Sequence, residues 1–315
     1  MDRLTIGIIG AGAMARRHLD VLRTLQDIEI VAASSRGKER LQKLAFDYHI
    51  PREFRDNNEM LETVKPDAVI VAVSAPNVYQ VASTCIQHGV SALIEKPPGL
   101  TAEETRKLVQ SSKKVEGQFM AGLNRRFYGI IQNANRLANE TGGLVSVMVQ
   151  YTENLAPLRA KKIHPPEIFE HWLAADAIHC IDLLRFFGGE TRTVSALSSR
   201  WKTGDSYGAL IRFRNKAIGH FIANLTSPGR WKAVLYGLDM RIDVCPLEEG
   251  RVSKRDGTVT ELKIDEMDTK FKPGFYRQDN YFIDHVRRNM PIERPAANLE
   301  DALETMLLVE TIANS

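Results

Sequence analysis

Short apolar runs alternate with segments of helical spacing over the first 123 residues of the chain. Short apolar runs, typical of strands buried on both faces of a parallel sheet, occur at Leu4 to Ile9, Ile28 to Ala33, Ala68 to Val73, Val90 to Ile94 and Phe119 to Leu123. Segments with helical spacing separate them at Ala13 to Leu25, Lys38 to Tyr48, Asn77 to His88 and Thr101 to Lys114. This order of elements predicts an α/β domain, residues 1–123, with a doubly wound parallel sheet.

The pattern changes in the rest of the chain, residues 124–315. After two helical stretches, strand candidates occur at Val145 to Tyr151, Val194 to Trp201, Tyr207 to Arg214, Ile218 to Leu225 and Trp231 to Tyr236. The turn signals Arg214-Asn215-Lys216 and Asp256-Gly257 indicate hairpins. Helical patterns from Phe275 to Asn289 and from Leu299 to Ile312 close the chain. We therefore predict an α+β domain with a large, mostly antiparallel open sheet. Its outer face needs cover, so we expect a homodimer or homotetramer.

Composition narrows the class of partner. Of the 315 residues, 43% are hydrophobic and 26% are charged, which matches an ordinary globular chain and excludes a disordered one. The 42 basic and 39 acidic residues give a net charge of +3, too even a balance to indicate nucleic acid or a membrane surface. The expected partner is a small molecule.

Cysteine and histidine spacing gives no indication of a metal site. Cys85, Cys180 and Cys245 have no CxxC spacing, and the histidines lack the spacing of a ligand pair. No apolar run approaches the length of a membrane span, and the glycine-rich run near the N-terminus does not have the pattern of a signal peptide. We expect a cytoplasmic protein without a metal.

A glycine-rich turn joins the first predicted strand to the first helix. Gly10 permits a tight turn, Gly12 lets the backbone approach a diphosphate, and Ala15 allows close packing of the helix on the sheet. The N–H groups that open the helix then face the phosphates. This context predicts a Rossmann dinucleotide-binding domain whose phosphate contacts are Gly10, Ala11, Gly12, Ala13 and Met14.

The end of the second strand bears on the choice of dinucleotide. An NAD enzyme places a carboxylate there, but this chain has Ala33-Ser34-Ser35-Arg36. Ser35 and Arg36 are suited to a 2′-phosphate, so we predict a preference for NADP over NAD. The alternative is that Arg36 points to solvent. The other expected cofactor contacts follow later strands: Ser74, Pro76, Glu95 and Lys96.

Three further segments accompany this turn: Glu95-Lys96-Pro97, Asn124-Arg125-Arg126-Phe127, and the run from Asp176 to Asp182 that contains His179. In combination with Gly10 to Ala15, they resemble the glucose-fructose oxidoreductase, inositol dehydrogenase and rhizopine-catabolism (Gfo/Idh/MocA) family of NAD(P)-dependent oxidoreductases. The resemblance covers nearly the whole chain. It implies hydride transfer between a nicotinamide and a carbinol or carbonyl carbon of a sugar, cyclitol or sugar-nucleotide-like substrate.

The resemblance also implies roles for individual residues. It makes Lys96 the group that polarises the substrate oxygen and His179 the group that handles its proton, two tasks that oxidation of an alcohol requires. The family usually has an aspartate four residues before the histidine, but this chain has Ala175 there and Asp176 one position later. Asp176 or Asp182 is then expected to orient His179. Residues expected at the substrate are Lys96, Arg126, Trp172 and His179.

Two other functions stay open at this stage. The displaced aspartate is compatible with a dinucleotide-sensing regulatory protein of the same fold that lacks catalysis, although such a protein has no need of both Lys96 and His179. Reduction of an unsaturated or imine substrate would use the same motifs.

Overall fold

Over the residues that the computed structural model describes, 3–162, 164–201 and 204–315, the chain forms two sheets, one of seven strands and one of eight. Each sheet lies in its own compact unit. The first unit contains Met1–Asn124 and Lys270–Glu304, and the second contains Arg125–Thr269 and Thr305–Ser315. A functional division at residues 123 and 124 stays a prediction.

The sheet of the first unit has the strand order β3-β2-β1-β4-β5-β6-β15. Its strands are β1 (Leu4–Ile9), β2 (Ile28–Ser34), β3 (Glu53–Phe54), β4 (Ala68–Val71), β5 (Ser91–Glu95), β6 (Phe119–Gly122) and β15 (Ala297–Asn298). All pairs are parallel except β6 with β15. This order reverses beside β1, so the carboxyl ends of β1, β2 and β4 border a crevice of the kind in which doubly wound folds bind ligands.

Helices connect these strands. They are α1 (Ala13–Leu22), α2 (Lys38–Tyr48), α3 (Asn57–Val64), α4 (Ala75–Gln87) and α5 (Ala102–Ser112), with α11 (Phe275–Arg287) returning to the unit late in the chain. The five predicted strands are confirmed to within two residues at each end. The sequence analysis missed β3, which is too short to show a pattern, and it also missed α3. A polar cap begins α3, since Asp56 accepts the N–H of Glu59 at 2.9 Å.

The sheet of the second unit has the order β14-β13-β12-β11-β7-β10-β9-β8. Its strands are β7 (Leu144–Thr152), β8 (Thr191–Trp201), β9 (Gly204–Phe213), β10 (Ile218–Asn224), β11 (Lys232–Gly237), β12 (Met240–Val244), β13 (Gly250–Lys254) and β14 (Val259–Leu262). All neighbours are antiparallel except β7 with β10. The predicted α/β plus α+β fold class is confirmed, as are both predicted hairpins. The strands β12 to β14 were not predicted.

The remaining helices are α6 (Gly129–Glu140), α7 (Leu155–Ala160), α8 (Pro166–Glu170), α9 (Ile178–Gly188), α10 (Glu266–Lys270) and α12 (Leu299–Ala313). Every residue of α9 is buried. Close packing explains the glycine at its end, since a Cβ on Gly188 would lie 2.1 Å from the ring of Phe213. This apolar helix fixes the segment that contains His179.

Candidate active site

The turn between β1 and α1 requires a glycine at position 10. Gly10 has φ +114°, a region that other residues rarely adopt, and a Cβ there would lie 2.2 Å from the carbonyl oxygen of Ala72. Its N–H donates to the carbonyl of Ser34 at 2.8 Å, which joins the turn to the end of β2. The backbone of the turn is therefore held against two strand ends.

Gly12 serves a different purpose. It is the N-cap of α1, and a Cβ at this position would meet no atom within 4 Å. Packing therefore does not require a glycine at this position. The absence of a side chain leaves open space in front of the first N–H groups of the helix. Those groups lack partners within the helix and carry the positive end of its dipole. The arrangement fits a dinucleotide diphosphate.

The open space continues into a cavity of about 530 Å³ along the ends of β1, β2 and β4. The predicted cofactor residues that line this cavity are Gly10, Ala11, Gly12, Ala13, Met14, Ser35, Arg36 and Ser74. Pro76 lies in the first turn of α4. Arg36 is exposed, and its Nη2 donates to Oδ1 of Asn77 at 3.1 Å. Asn77 in turn donates to Oγ of Ser74 at 2.7 Å.

Three arginines line this cavity. Arg40 and Arg55 line it together with Arg36. The carboxylate in the lining is Asp56, whose Oδ1 caps α3. Sequence reasoning missed Arg40 and Arg55, because they reach the cavity from a helix face and from the short connection after β3.

Glu95 is the last residue of β5, and Lys96 follows it. The Glu95 carboxylate is buried, and its Oε2 accepts the backbone N–H of Lys96 at 3.2 Å. Its Oε1 lies 3.2 Å from Nε2 of His18, a fully buried side chain on α1. On the other side, Nδ1 of His18 lies 2.9 Å from Oδ2 of Asp279 on α11. These contacts of Glu95 are within the protein, and its expected contact with the cofactor stays a prediction.

The imidazole between two carboxylates has a perturbed pKa. Burial lowers the pKa of His18, but the charge and hydrogen bond of Asp279 and those of Glu95 outweigh burial and raise it to about 9. Burial raises the pKa of Glu95, yet the hydrogen bond and charge of His18 bring it below its ordinary value. Burial raises the pKa of Asp279. His18 is therefore a cation at neutral pH.

In the second unit, two of the predicted site residues bind each other. Nε and Nη2 of Arg126 donate to the two carboxylate oxygens of Asp182 at 2.8 and 2.6 Å, and both side chains are excluded from solvent. The hydroxyl of Thr305 donates to the same carboxylate at 3.0 Å. This bidentate pair is a buried structural contact of Asp182 and Arg126. That Asp182 orients His179 and that Arg126 contacts the substrate stay predictions.

Asp176 and Trp172 meet at a tyrosine. Nε1 of Trp172 donates to the hydroxyl of Tyr151 at 2.7 Å, and that hydroxyl donates to Oδ2 of Asp176 at 2.8 Å. Burial and the Asp176 charge raise the pKa of Tyr151, so it stays protonated and continues to donate. Burial and the same charge raise the pKa of Glu153, two residues further on. Tyr151 was missed because a strand pattern does not distinguish it from a core residue.

The helix that contains these residues is irregular. A π-helical turn, Leu173–Ala177, precedes α9 and includes Asp176. The sequence analysis assumed regular α-helical spacing between Asp176 and His179, and this assumption is wrong for that turn. Such turns are rare in proteins, and those that occur are often found at functional sites.

His179 lies at the start of α9 and is 4% exposed. Its ring centroid is 6.2 Å from that of Trp231, which is half-buried and lies 5.0 Å from the Tyr151 ring. The guanidinium of Arg125 stacks 5.0 Å from the Trp231 ring. Burial raises the pKa of the neighbouring Cys180 thiol, which leaves it without nucleophilic character. The Trp231 ring therefore lies beside His179 and is itself flanked by the Tyr151 ring and the Arg125 guanidinium.

The seven-stranded sheet and the glycine-rich turn after β1 define the class as a protein with a Rossmann dinucleotide-binding domain. Residues 4–123 match the family described as "Oxidoreductase family, NAD-binding Rossmann fold", and residues 137–245 match the "GFO/IDH/MocA C-terminal domain". The chain belongs to the Gfo/Idh/MocA family, as the motifs had suggested.

Named relatives are dehydrogenases. The chain is 28% identical to D-apiose dehydrogenase of Paraburkholderia graminis over 64% of this chain and 54% of that protein. It is 24% identical to myo-inositol 2-dehydrogenase of Thermotoga maritima over 97% of this chain and 94% of that protein. The prediction of a dehydrogenase is confirmed.

Solved structures share the fold. A dehydrogenase from Chromobacterium violaceum superposes with a TM-score of 0.89 at 22% identity, covering 100% of this chain and 95% of that one. Levoglucosan dehydrogenase in complex with NADH and L-sorbose superposes with a TM-score of 0.86 at 17% identity, covering 100% and 97%. Within the described part of this chain, no helix is both long and apolar enough to cross a membrane.

Proposed function

We propose that this protein is an NADP(H)-dependent dehydrogenase that acts on a carbinol carbon of a sugar, cyclitol or sugar-nucleotide-like polyol. The observation that carries the proposal is the glycine-rich turn between β1 and α1, where the open space at Gly12 continues into an arginine-lined cavity. The relatives named for apiose and myo-inositol support the substrate class.

The preference for NADP rests on charge. A 2′-phosphate adds about two negative charges to the adenosine ribose, and Arg36, Arg40 and Arg55 line the cavity. Arg36 is already oriented by Asn77, which lowers the entropy cost of ordering its long side chain on binding.

Cofactor choice is tested by titrating the wild type, Arg36→Ala and the control Arg192→Ala with NADP⁺ and NAD⁺. Arg192 is an exposed arginine on β8, outside the first unit. Loss of a charge-assisted pair costs about 1.5–3 kcal/mol, so Arg36→Ala should weaken NADP⁺ binding by about 10- to 100-fold and leave NAD⁺ binding nearly unchanged. Tighter binding of NAD⁺ than of NADP⁺ by the wild type would contradict the preference.

Hydride exchange is the chemistry that NADP(H) supplies when bound. We assign the remaining tasks to this chain: Lys96 donates to the substrate oxygen, and His179 takes or returns the hydroxyl proton. Asp176 is proposed to orient His179. An imidazole is suited to proton transfer near neutral pH, and an ammonium stabilises a developing alkoxide.

Trp172 and Trp231 are proposed to bind the substrate. Their neighbourhood combines aromatic faces with the hydroxyl of Tyr151 and the charge of Asp176. Such a surface suits a ring that is apolar on its faces and polar at its edge, as a sugar or cyclitol is.

The experiment that tests catalysis is a polyol panel with the wild type and Lys96→Met. We expect turnover by the wild type, a loss of at least 1000-fold in the variant, and unchanged NADP⁺ affinity. The displaced aspartate favours one second candidate, a dinucleotide sensor. Cofactor binding by the wild type without turnover of any polyol would support the sensor.

We also propose a cytoplasmic homo-oligomer. The register of β8, β9 and β10 puts Leu197, Leu210 and Ile222 on one face of the sheet, where all three are exposed. An exposed apolar face of this kind indicates an association surface. Light scattering after size exclusion tests this, and a monomer would contradict it.

A further inference from the structure

In the first unit, a buried histidine lies between two buried carboxylates. His18 and Asp279 are both 0% exposed, and Glu95 is 6% exposed. They come from α1, α11 and β5, which are distant in sequence. Burying three titratable groups is unfavourable unless they satisfy one another. Neither His18 nor Asp279 has a task in the function proposed above.

The geometry fits a doubly protonated imidazole between two ionised carboxylates. Nδ1 faces Asp279 at 2.9 Å and Nε2 faces Glu95 at 3.2 Å. A carboxylate accepts hydrogen bonds, so each ring nitrogen has to donate, and a neutral imidazole has one N–H. Asp279 is itself fixed, since Nε2 of Gln278 donates to its Oδ1 at 3.3 Å.

The other end of this chain of contacts is the backbone of Lys96. Glu95 uses Oε1 for His18 and Oε2 for the N–H of Lys96 at 3.2 Å. The two contacts use different oxygens of one carboxylate, so together they fix its rotation. Because Gly122 lies beside Glu95, with a would-be Cβ 3.5 Å from Cδ, the carboxylate is also confined by the neighbouring strand.

We propose that His18 and Asp279 are positioning residues for Lys96 and act through Glu95. The imidazolium holds the Glu95 carboxylate in the rotation in which Oε2 binds the Lys96 N–H, and this fixes the start of the Lys96 side chain. The inference rests on the proposed catalytic role of Lys96.

The positioning depends on pH. The charged groups that face His18 or Glu95 are Asp279 on α11, Lys272 before α11, and Lys96 after β5. The ring of Phe275 covers His18 at 4.7 Å and excludes water. The pKa of His18 is raised to about 9 by the two carboxylates against the effect of burial. The Lys96 backbone should therefore be held below that pH and released above it.

Two amide variants of His18 distinguish the contact of Nε2 with Glu95 from the contact of Nδ1 with Asp279. Gln at position 18 can place its amide nitrogen near Nε2 and keep a donor toward Glu95, whereas Asn can place its nitrogen near Nδ1 and keep a donor toward Asp279. The first readout is hydrogen exchange of the Lys96 amide, followed by NMR and independent of substrate. We expect His18→Asn to speed exchange by about 10-fold or more and His18→Gln to leave it within about threefold.

The second readout is kinetic, with whichever of myo-inositol and D-apiose the wild type oxidises faster. His18→Asn should lower kcat at least 10-fold with NADP⁺ affinity within threefold, and His18→Gln should retain most of kcat. Equal Lys96 exchange and equal kcat in His18→Asn and the wild type would overturn the inference, while an inactive Lys96→Met would still support the proposed function. A fully active Lys96→Met would overturn both.

Asp279→Asn provides a test if the His18 variants do not fold. It keeps an acceptor for Nδ1 but removes the charge that raises the His18 pKa. The pH at which Lys96 exchange accelerates should then move down by at least one unit. An unchanged pH would overturn the inference, since a merely structural contact would not shift that midpoint.

Discussion

Replacing Asp182 with asparagine separates a structural role from a catalytic one. Arg126 is 0% exposed and both of its bonds to Asp182 are 2.8 Å or shorter, so the variant removes the negative charge from a buried, bidentate ion pair. The asparagine amide also points a donor at an Arg126 donor. Breaking a buried pair on one side costs about 3–5 kcal/mol, and we expect that loss in the free energy of unfolding of the second unit.

The assay is urea unfolding followed by far-UV circular dichroism, with Asp239→Asn as the matched control. Asp239 pairs with Arg255 at 3.2 Å, but the two side chains are 67% and 81% exposed. Exposed pairs contribute about 0–1 kcal/mol, so the control should unfold close to the wild type.

The same variant tests the original expectation that Asp182 orients His179. If Asp182→Asn unfolds like the wild type but loses turnover, the structural assignment is refuted and the carboxylate acts on catalysis. If stability falls by several kcal/mol, and turnover measured well below the unfolding midpoint persists, the ion pair is structural.

Two further predictions concern the first unit. Gly12→Ala should leave the free energy of unfolding within about 1 kcal/mol of the wild type, because a Cβ there meets nothing within 4 Å and only an N-cap preference is lost, and should weaken NADP⁺ binding at least 10-fold by calorimetry. Gly10→Ala, whose Cβ would meet Ala72, should instead destabilise the fold; equal stability of the two variants would contradict this. The pKa of His18 is raised from 6.5 to about 9, so its contribution to stability is complete below pH 6.5 and is lost as pH rises through 9. Wild-type stability should fall by up to about 3 kcal/mol more than that of His18→Gln across this range, and parallel pH curves in urea unfolding would be inconsistent with a buried imidazolium.

Local patterns predicted the parts of the fold that local physics determines. The Gly10 turn depends on a positive φ and a close approach to Ala72, both of which make glycine necessary and therefore visible in the sequence. Long buried strands were found for the same reason, since burial on both faces imposes an apolar run. The two-residue strand Glu53–Phe54 has no such run, and its position depends on its backbone pairing with β2.

Side-chain pairing depends on contacts between distant residues and was not predictable. His18 and Asp279 are separated by 261 positions, and nothing near either residue indicates the other. Arg126 was predicted to contact the substrate, and Asp182 was predicted to orient His179. Counting positions along the chain could not show that a bidentate ion pair already uses both side chains.

The displaced aspartate illustrates why spacing alone did not settle the second unit. In a regular α-helix, separations of three and four both place a carboxylate on the side of the histidine, so Asp176 was expected to replace the missing aspartate at 175. The π-helical turn Leu173–Ala177 removes that regularity. The direction of the carboxylate is fixed instead by the Tyr151 hydroxyl at 2.8 Å, which Trp172 holds in turn. A donor on a strand can orient an acceptor on a neighbouring helix whatever its register, so the role of Asp176 has to be argued from Tyr151 rather than from its distance in sequence to His179.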